Sequence, residues 1–121
     1  MNQVPLIAVV DDDESVRESL PDLLRSFGYD VAAFESGEAF LAAGATASAL
    51  VLDIVMPGMS GPQLSDELKQ RGVNIPTIFM TANSGALTKD ELLKGGAAGF
   101  LLKPFEPIHL IDALRTALPS P

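Results

Sequence analysis

The chain has 121 residues, enough for one domain with its own core and too few for two full-sized ones. It has no cysteine, which excludes disulfide frameworks, thiolate metal centres and cysteine nucleophiles, and fits a reducing, cytoplasmic setting. Sixteen acidic residues face eight basic ones, and a net charge of −8 argues against direct nucleic-acid binding, since phosphate contacts need a basic face. Hydrophobic residues make up 47% of the chain, as in a globular domain, yet no apolar run approaches the roughly 20 residues of a membrane span. The first residues, Met1 to Pro5, lack the basic region and apolar stretch of a signal peptide. No membrane association is therefore expected.

Leu6 to Val10 is a short continuous apolar run, as expected of a strand covered on both faces. Ser15-Val16-Arg17-Glu18 has the spacing of a capping box. Val16, Leu20, Leu23, Leu24 and Phe27 then recur at helical intervals up to Gly28, a C-terminal stop. Pro21 falls inside this helix, where it removes a backbone hydrogen bond and crowds the preceding turn; a kink, or a later helix start, is expected. Val31 to Phe34 reads as a second strand and Gly37 to Ala43 as a short helix ending near Gly44. A third strand, Ala49 to Leu52, runs into Asp53. The loop with Pro57, Gly58 and Gly61 leads to a helix carrying Leu64 and Leu68 and ending near Gly72. Ile75 to Met80 reads as a fourth strand. A polar loop, Asn83-Ser84-Gly85, precedes a helix from about Leu87 to Lys94. Gly99 to Leu102 reads as a fifth strand. Ile108, Ile111, Ala113, Leu114 and Leu118 line a last helix, stopped by Pro119 and Pro121.

Strands that alternate with helices predict an α/β fold, a doubly wound parallel sheet with helices on both faces. Five strands favour the flavodoxin-like order 2-1-3-4-5 over the six-stranded dinucleotide-binding order. No linker or repeat divides residues 1–121, so a single domain is expected.

Ligands of such sheets bind at the carboxyl ends of the strands. Strand one ends in Asp11-Asp12-Asp13, strand three in Asp53, strand four in Thr81 and strand five in Lys103-Pro104. Carboxylates, a hydroxyl and an ammonium thus converge on one edge from distant parts of the chain, and the sheet itself needs none of them. Clustered carboxylates raise one another's pKa unless a cation neutralises them. Lys103 supplies one charge, and a hard divalent cation on oxygen ligands, Mg²⁺ with Mn²⁺ as an alternative, would supply the rest. Phosphoryl transfer needs positioning and charge neutralisation, which a cation, Lys103 and the Thr81 hydroxyl could give to a phosphoryl group arriving on a carboxylate. Asp53 stands alone at its strand end and is assigned as the acceptor. Asp11 and Asp12 are adjacent and suited to share the metal, and Asp13 is assigned as a helix cap.

Four segments in order, Val9-Val10-Asp11-Asp12-Asp13-Glu14-Ser15-Val16-Arg17, Leu52-Asp53-Ile54-Val55-Met56-Pro57-Gly58-Met59-Ser60-Gly61, Met80-Thr81-Ala82 and Leu102-Lys103-Pro104-Phe105, resemble the receiver domain of bacterial two-component response regulators. The resemblance covers almost the whole chain and leans towards receivers joined to helix-turn-helix output domains. It implies phosphorylation of Asp53 by a sensor histidine kinase or a histidine phosphotransfer protein. It also implies Mg²⁺ bound by Asp12 directly, by Asp11 mostly through water, by Asp53 and by the Val55 backbone carbonyl. Thr81 and Lys103 match residues that contact the phosphoryl group, Phe100 matches a switch aromatic, and a cis peptide is implied between Lys103 and Pro104. The implied switch draws in Thr81, turns Phe100 inward and alters the surface of helix four, strand five and helix five for an output protein, an output domain beyond this segment, or a second phosphorylated copy. Motion is expected from Asn83 to Gly96, which holds three of the ten glycines. A receiver of this kind stands alone or is a piece of a longer regulator, and it is not an enzyme beyond its own phosphorylation and dephosphorylation.

Two other function classes fit the same fold, which by itself licenses none of them. One is an inert binding module, against which the intact Asp-Asp, Asp, Thr and Lys set argues. The other is a Mg²⁺-dependent phosphatase with an aspartyl nucleophile, but such enzymes place a second acid two residues after it, where this chain has Val55. A flavin protein would need a Ser/Thr/Gly-rich phosphate loop after strand one, and there is none. The lone histidine, His109, is expected on the surface of the last helix, and Gly95-Gly96 lacks the strand–glycine–helix context of a dinucleotide fingerprint.

Overall fold

The structure, a computed structural model, describes residues 4–82 and 89–118. Strands and helices alternate: β1 (Leu6–Val10), α1 (Glu14–Ser26), β2 (Asp30–Phe34), α2 (Gly37–Ala42), β3 (Ala49–Asp53), α3 (Gly61–Gln70), β4 (Thr77–Thr81), α4 (Lys89–Lys94), β5 (Gly99–Leu102) and α5 (Pro107–Ala117). The five strands form one parallel sheet in the order β2-β1-β3-β4-β5, the predicted flavodoxin-like winding. No helix among the described residues is long and apolar enough to cross a membrane.

Strand alternation sorts the core into two layers. Ile7 and Val9 of β1, Ala49 and Val51 of β3, and Ile78 and Met80 of β4 pack with Leu20 and Leu24 of α1 and Leu110, Ile111 and Leu114 of α5. Ala8 and Val10, Leu50 and Leu52, and Phe79 face the other way, against Phe40 of α2, Leu64 and Leu68 of α3 and Leu92 of α4. Every residue of β3 and β4 is buried, because both faces of a central parallel strand are covered.

The differences from the sequence expectations are local. Helix α1 starts at Glu14 with Asp13 as its cap, as assigned, and the Ser15–Glu18 capping-box spacing is not used: the Ser15 amide and hydroxyl both donate to Asp13 Oδ1, at 2.9 and 2.7 Å. The helix does not begin late. It runs through Pro21, which is buried, so the lost amide donor is offset by packing. Phe27 caps its C-terminus and is 46% exposed, so it is not part of the apolar stripe; Gly28 follows at φ +94° as the predicted stop. Helix α2 ends at Ala42.

Helix α3 begins at Gly61, under a reciprocal box in which Ser60 Oγ accepts from the Gln63 amide and Gln63 Oε1 accepts from the Ser60 amide. Strand β4 begins at Thr77 and not Ile75, since Pro76 has no N–H for the ladder, although its carbonyl still accepts from Leu50 at 2.9 Å. In α5, Ile108 is 49% exposed and lies off the buried stripe. The expected loop at 83–85, the start of the fourth helix at 87 and the terminal prolines lie outside the described residues.

Candidate functional site

Register explains why residues scattered along the chain meet. Val10 pairs with Leu52, so Asp11 and Asp53 follow side by side past the ends of β1 and along β3. Asp53 pairs with Met80 and Thr81 pairs with Leu102, which sets Thr81 and Lys103 at the same edge. The Lys103 amide donates to the Thr81 carbonyl at 2.8 Å, continuing the ladder one residue past β5. The peptide between Lys103 and Pro104 is cis.

Asp11 is fully buried and held on every side. Its amide donates to the Phe34 carbonyl, 3.1 Å, and its Oδ1 accepts from the Asp13 amide, 2.9 Å. Its Oδ2 lies 2.7 Å from Lys103 Nζ. Its carbonyl accepts from Arg17 Nη1 of α1 at 3.0 Å. Lys103 therefore leans on Asp11, and its ammonium is 3.8 Å from Asp53 Oδ2. Asp53 is 6% exposed, Thr81 is buried and Asp12 is exposed.

One carboxylate oxygen from each of Asp11, Asp12 and Asp53 lies within 4.8 Å of the others. Three carboxylates against one ammonium leave two negative charges in a largely buried corner. Burial raises the Asp53 carboxyl above the ordinary 3.8, and the charge of Asp11 raises it further, to about 6. Lys103 and a hydrogen bond from the Val55 amide oppose the rise. Asp13 behaves in the opposite way: its bonds from Ser15 hold its carboxyl below the usual range, as befits a cap. The donor set at the cluster is all oxygen and the uncompensated charge matches one divalent cation, so the residues fit a hard ion such as Mg²⁺.

The other expected residues lie close by. Val55 is 55% exposed at the rim, two residues past Asp53. Phe100 pairs with Phe79 on β4 and packs, partly buried, against the layer that holds Leu92 of α4. Alternation puts Thr81 on the same face of β4 as Phe79, so Thr81 lies towards α4 while Asp53 and Lys103 lie towards α1 and α5. His109 is exposed on α5, as expected.

Sequence reasoning gave no role to two residues that shape the site. Arg17 is one. Gly61 is the other: its amide donates to the Ile54 carbonyl at 2.9 Å, and a Cβ at this position would collide with the Asp53 carbonyl oxygen. The acceptor's own backbone thus demands glycine at the start of α3. The four-residue reach from Ser60 to Gln63 was the available sign that α3 starts there.

Residues 7–115 match the response regulator receiver domain model. The chain is 43% identical over 114 residues to the transcriptional regulatory protein TdiR of Thauera aromatica, covering 93% of this chain and 50% of that protein. It is also 43% identical over 114 residues to the transcriptional regulatory protein FixJ of Azorhizobium caulinodans, covering 93% of this chain and 54% of that one. The chain therefore spans about half the length of these curated relatives. The crystal structure of FixJ-N superposes with a TM-score of 0.85 at 38% identity, over 97% of this chain and 94% of that one. By the strand-end cluster, the winding order and these matches, the chain belongs to the receiver domain family of two-component response regulators.

Proposed function

We propose that this receiver is switched by phosphorylation of Asp53, with a sensor histidine kinase or histidine phosphotransfer protein as donor and Mg²⁺ as the required ion. One observation carries the reading: a nearly buried carboxylate, Asp53, shares a 4.8 Å cluster with Asp11 and Asp12 and has a lysine ammonium 3.8 Å away. An oxygen of Asp53 attacks the phosphorus, the bond from phosphorus to the donor nitrogen breaks, and that nitrogen keeps the electron pair. The product is an acyl phosphate on Asp53. Asp11, Asp12, Asp53 and the Val55 carbonyl would hold the ion, with Mn²⁺ able to replace it, and a bound ion supplies the charge that lets a carboxylate and a phosphoryl group approach. Lys103 shifts towards the new oxygens, and the Thr81 hydroxyl turns to them. The domain turns over nothing but its own phosphoryl group.

Thr81 and Phe100 lie towards α4, which supports a readout through α4, β5 and α5. Leu93, Leu102 and Ile108 are 40, 49 and 49% exposed there, apolar surface suited to an output partner or a second phosphorylated copy. Because TdiR and FixJ are transcriptional regulatory proteins, we propose a gene-regulatory output, delivered through another domain or protein.

Intact-protein mass after incubation with acetyl phosphate tests the reading. A gain of one phosphoryl group that needs Mg²⁺ and disappears in Asp53→Asn is the expected result. No gain in the wild type, with Mg²⁺ binding intact, would overturn it and leave an inert binding module.

A further inference from the structure

We infer that Arg17 is the positioning residue of the metal-binding acidic pair: its guanidinium grips the Asp11 carbonyl and so fixes the Asp11–Asp12 peptide from which both carboxylates hang. The inference rests on the Mg²⁺ reading of the strand-end cluster and extends it to a residue outside the cluster.

Asp11 lies just beyond β1, where the chain must leave the sheet and enter α1 within three residues. Its amide is still tied to the ladder through Phe34. Its carbonyl points out of that ladder, and the donor the structure shows for it is Arg17 Nη1, 3.0 Å away. Arg17 is suited to this reach. It sits one turn into α1, its amide donates to the Asp13 carbonyl at 3.1 Å, and its side chain is half-buried against the turn it closes. The guanidinium and the Asp13 cap thus clamp residues 11–13 from two directions. Asp13 fixes the helix start through Ser15, and Arg17 fixes the strand end through Asp11.

The clamp bears on the ion because the two carboxylates depend on one peptide plane. Asp11 Oδ1 and Oδ2 are already held by the Asp13 amide and by Lys103. Asp12 is exposed, and its direction is set by its backbone alone among the contacts described. Rotation of the 11–12 peptide would swing Asp12 away from Asp53 and spoil the 4.8 Å cluster. Mg²⁺ demands near-ideal octahedral geometry with bonds of about 2.0–2.1 Å, whereas Ca²⁺ accepts looser sets at about 2.3–2.6 Å. A loosened pair should therefore lose Mg²⁺ affinity more than Ca²⁺ affinity.

The sign of the effect separates positioning from charge. Arg17→Gln removes a positive charge near a cation site, which by itself would tighten both ions. Calorimetric Kd values for Mg²⁺ and Ca²⁺ on the wild type, Arg17→Gln and Arg17→Lys make the test, with a thermal melt of each to confirm folding. For Arg17→Gln, Mg²⁺ should bind about tenfold more weakly, the scale of one charge-assisted hydrogen bond, with Ca²⁺ weakened by less than about threefold. Arg17→Lys keeps a donor but not the fork, and should recover part of the loss. Should Arg17→Gln not fold, the lysine variant carries the same prediction at smaller size. Unchanged or tighter Mg²⁺ binding in a folded variant, or equal weakening of both ions, would overturn the role of Arg17 alone. A wild type that binds no Mg²⁺ would overturn the metal reading and this inference with it.

Discussion

Asp53→Asn is expected to stabilise the metal-free domain at neutral pH, although it removes the proposed acceptor. Burial, and then the neighbouring charge of Asp11, raise the Asp53 carboxyl from 3.8 to about 6, against the pull of Lys103. Between those two values the folded protein holds a proton that the unfolded chain has released. Stability from this group therefore falls as pH rises through the window, and levels off above about pH 6. At about 1.4 kcal/mol per pKa unit, the ionised form costs the fold up to roughly 3 kcal/mol at neutral pH. Asparagine keeps the shape and drops the charge, so a gain of roughly 1–3 kcal/mol is expected, on the order of 5–10 °C in Tm for a domain of this size. Urea unfolding followed by circular dichroism, in chelator, from about pH 4 to about pH 8, makes the measurement. The two proteins should converge near the acid end, where both side chains are neutral, and separate as pH rises. Saturating Mg²⁺ should narrow the gap, because only the wild type offers three carboxylates to the ion. A variant that is less stable than the wild type throughout, or a gap that does not change with pH, would refute the reasoning.

Three further outcomes follow from the same geometry. Gly61→Ala places a methyl on the Asp53 carbonyl oxygen and should cost about 2 kcal/mol or more in urea unfolding, while also slowing acetyl-phosphate labelling; a change below about 0.5 kcal/mol would contradict the collision. Lys103→Met leaves the fully buried Asp11 carboxylate without its 2.7 Å partner and should destabilise the metal-free form by about 3 kcal/mol, part of which Mg²⁺ restores; equal stability with and without chelator would count against it. Lys69 of α3 donates to the Gly95 carbonyl at the end of α4, so Lys69→Met should leave global stability within about 0.5 kcal/mol yet speed amide exchange in α4, and unchanged exchange would show that this contact does not hold the helix.

Most of the fold was legible because parallel strands covered on both faces must be apolar throughout. Leu6 to Val10 and Ala49 to Leu52 announce themselves in that way, and the observed strands agree to within a residue. The boundaries that moved did so where a local hydrogen bond outranked periodicity. The capping-box spacing at Ser15 goes unused because Asp13, the other cap assigned from the sequence, offers a charged acceptor two residues earlier and takes both of the Ser15 donors. Pro76 cost β4 its first two expected residues because a ladder needs an N–H that proline lacks. Phe27 and Ile108 kept helical spacing yet came out exposed; each lies at an end of its helix, Phe27 as the C-terminal cap of α1 and Ile108 as the second residue of α5. In the site, Asp11, Asp12, Asp53, Thr81 and Lys103 could be read because chain order and parallel register together dictate which residues sit at the carboxyl edge. Arg17 and Gly61 could not, because neither places a reactive group at a strand end. One acts through a backbone carbonyl and the other through the absence of an atom.

The unequal grip of Lys103 is what gives the cluster its direction. A single ammonium among three carboxylates could have been shared evenly, but it lies 2.7 Å from Asp11 and 3.8 Å from Asp53. Asp11 is thereby neutralised and also bonded through its amide, its carbonyl and both carboxylate oxygens, so it serves as a fixed part of the scaffold. Asp53 is left as the buried acid whose charge is least compensated: burial and then the charge of Asp11 raise its pKa, and Lys103, leaning on Asp11, opposes that rise only in part. A group in that condition gains from any cation that enters. It also gains an electrostatic partner if Lys103 transfers its weight from Asp11, which becomes affordable once a divalent charge stands beside Asp11 and Asp12. The stability that the fold gives up by burying a charged Asp53 would be recovered in part by any cation bound at the cluster, so cation binding and folding are linked at this site.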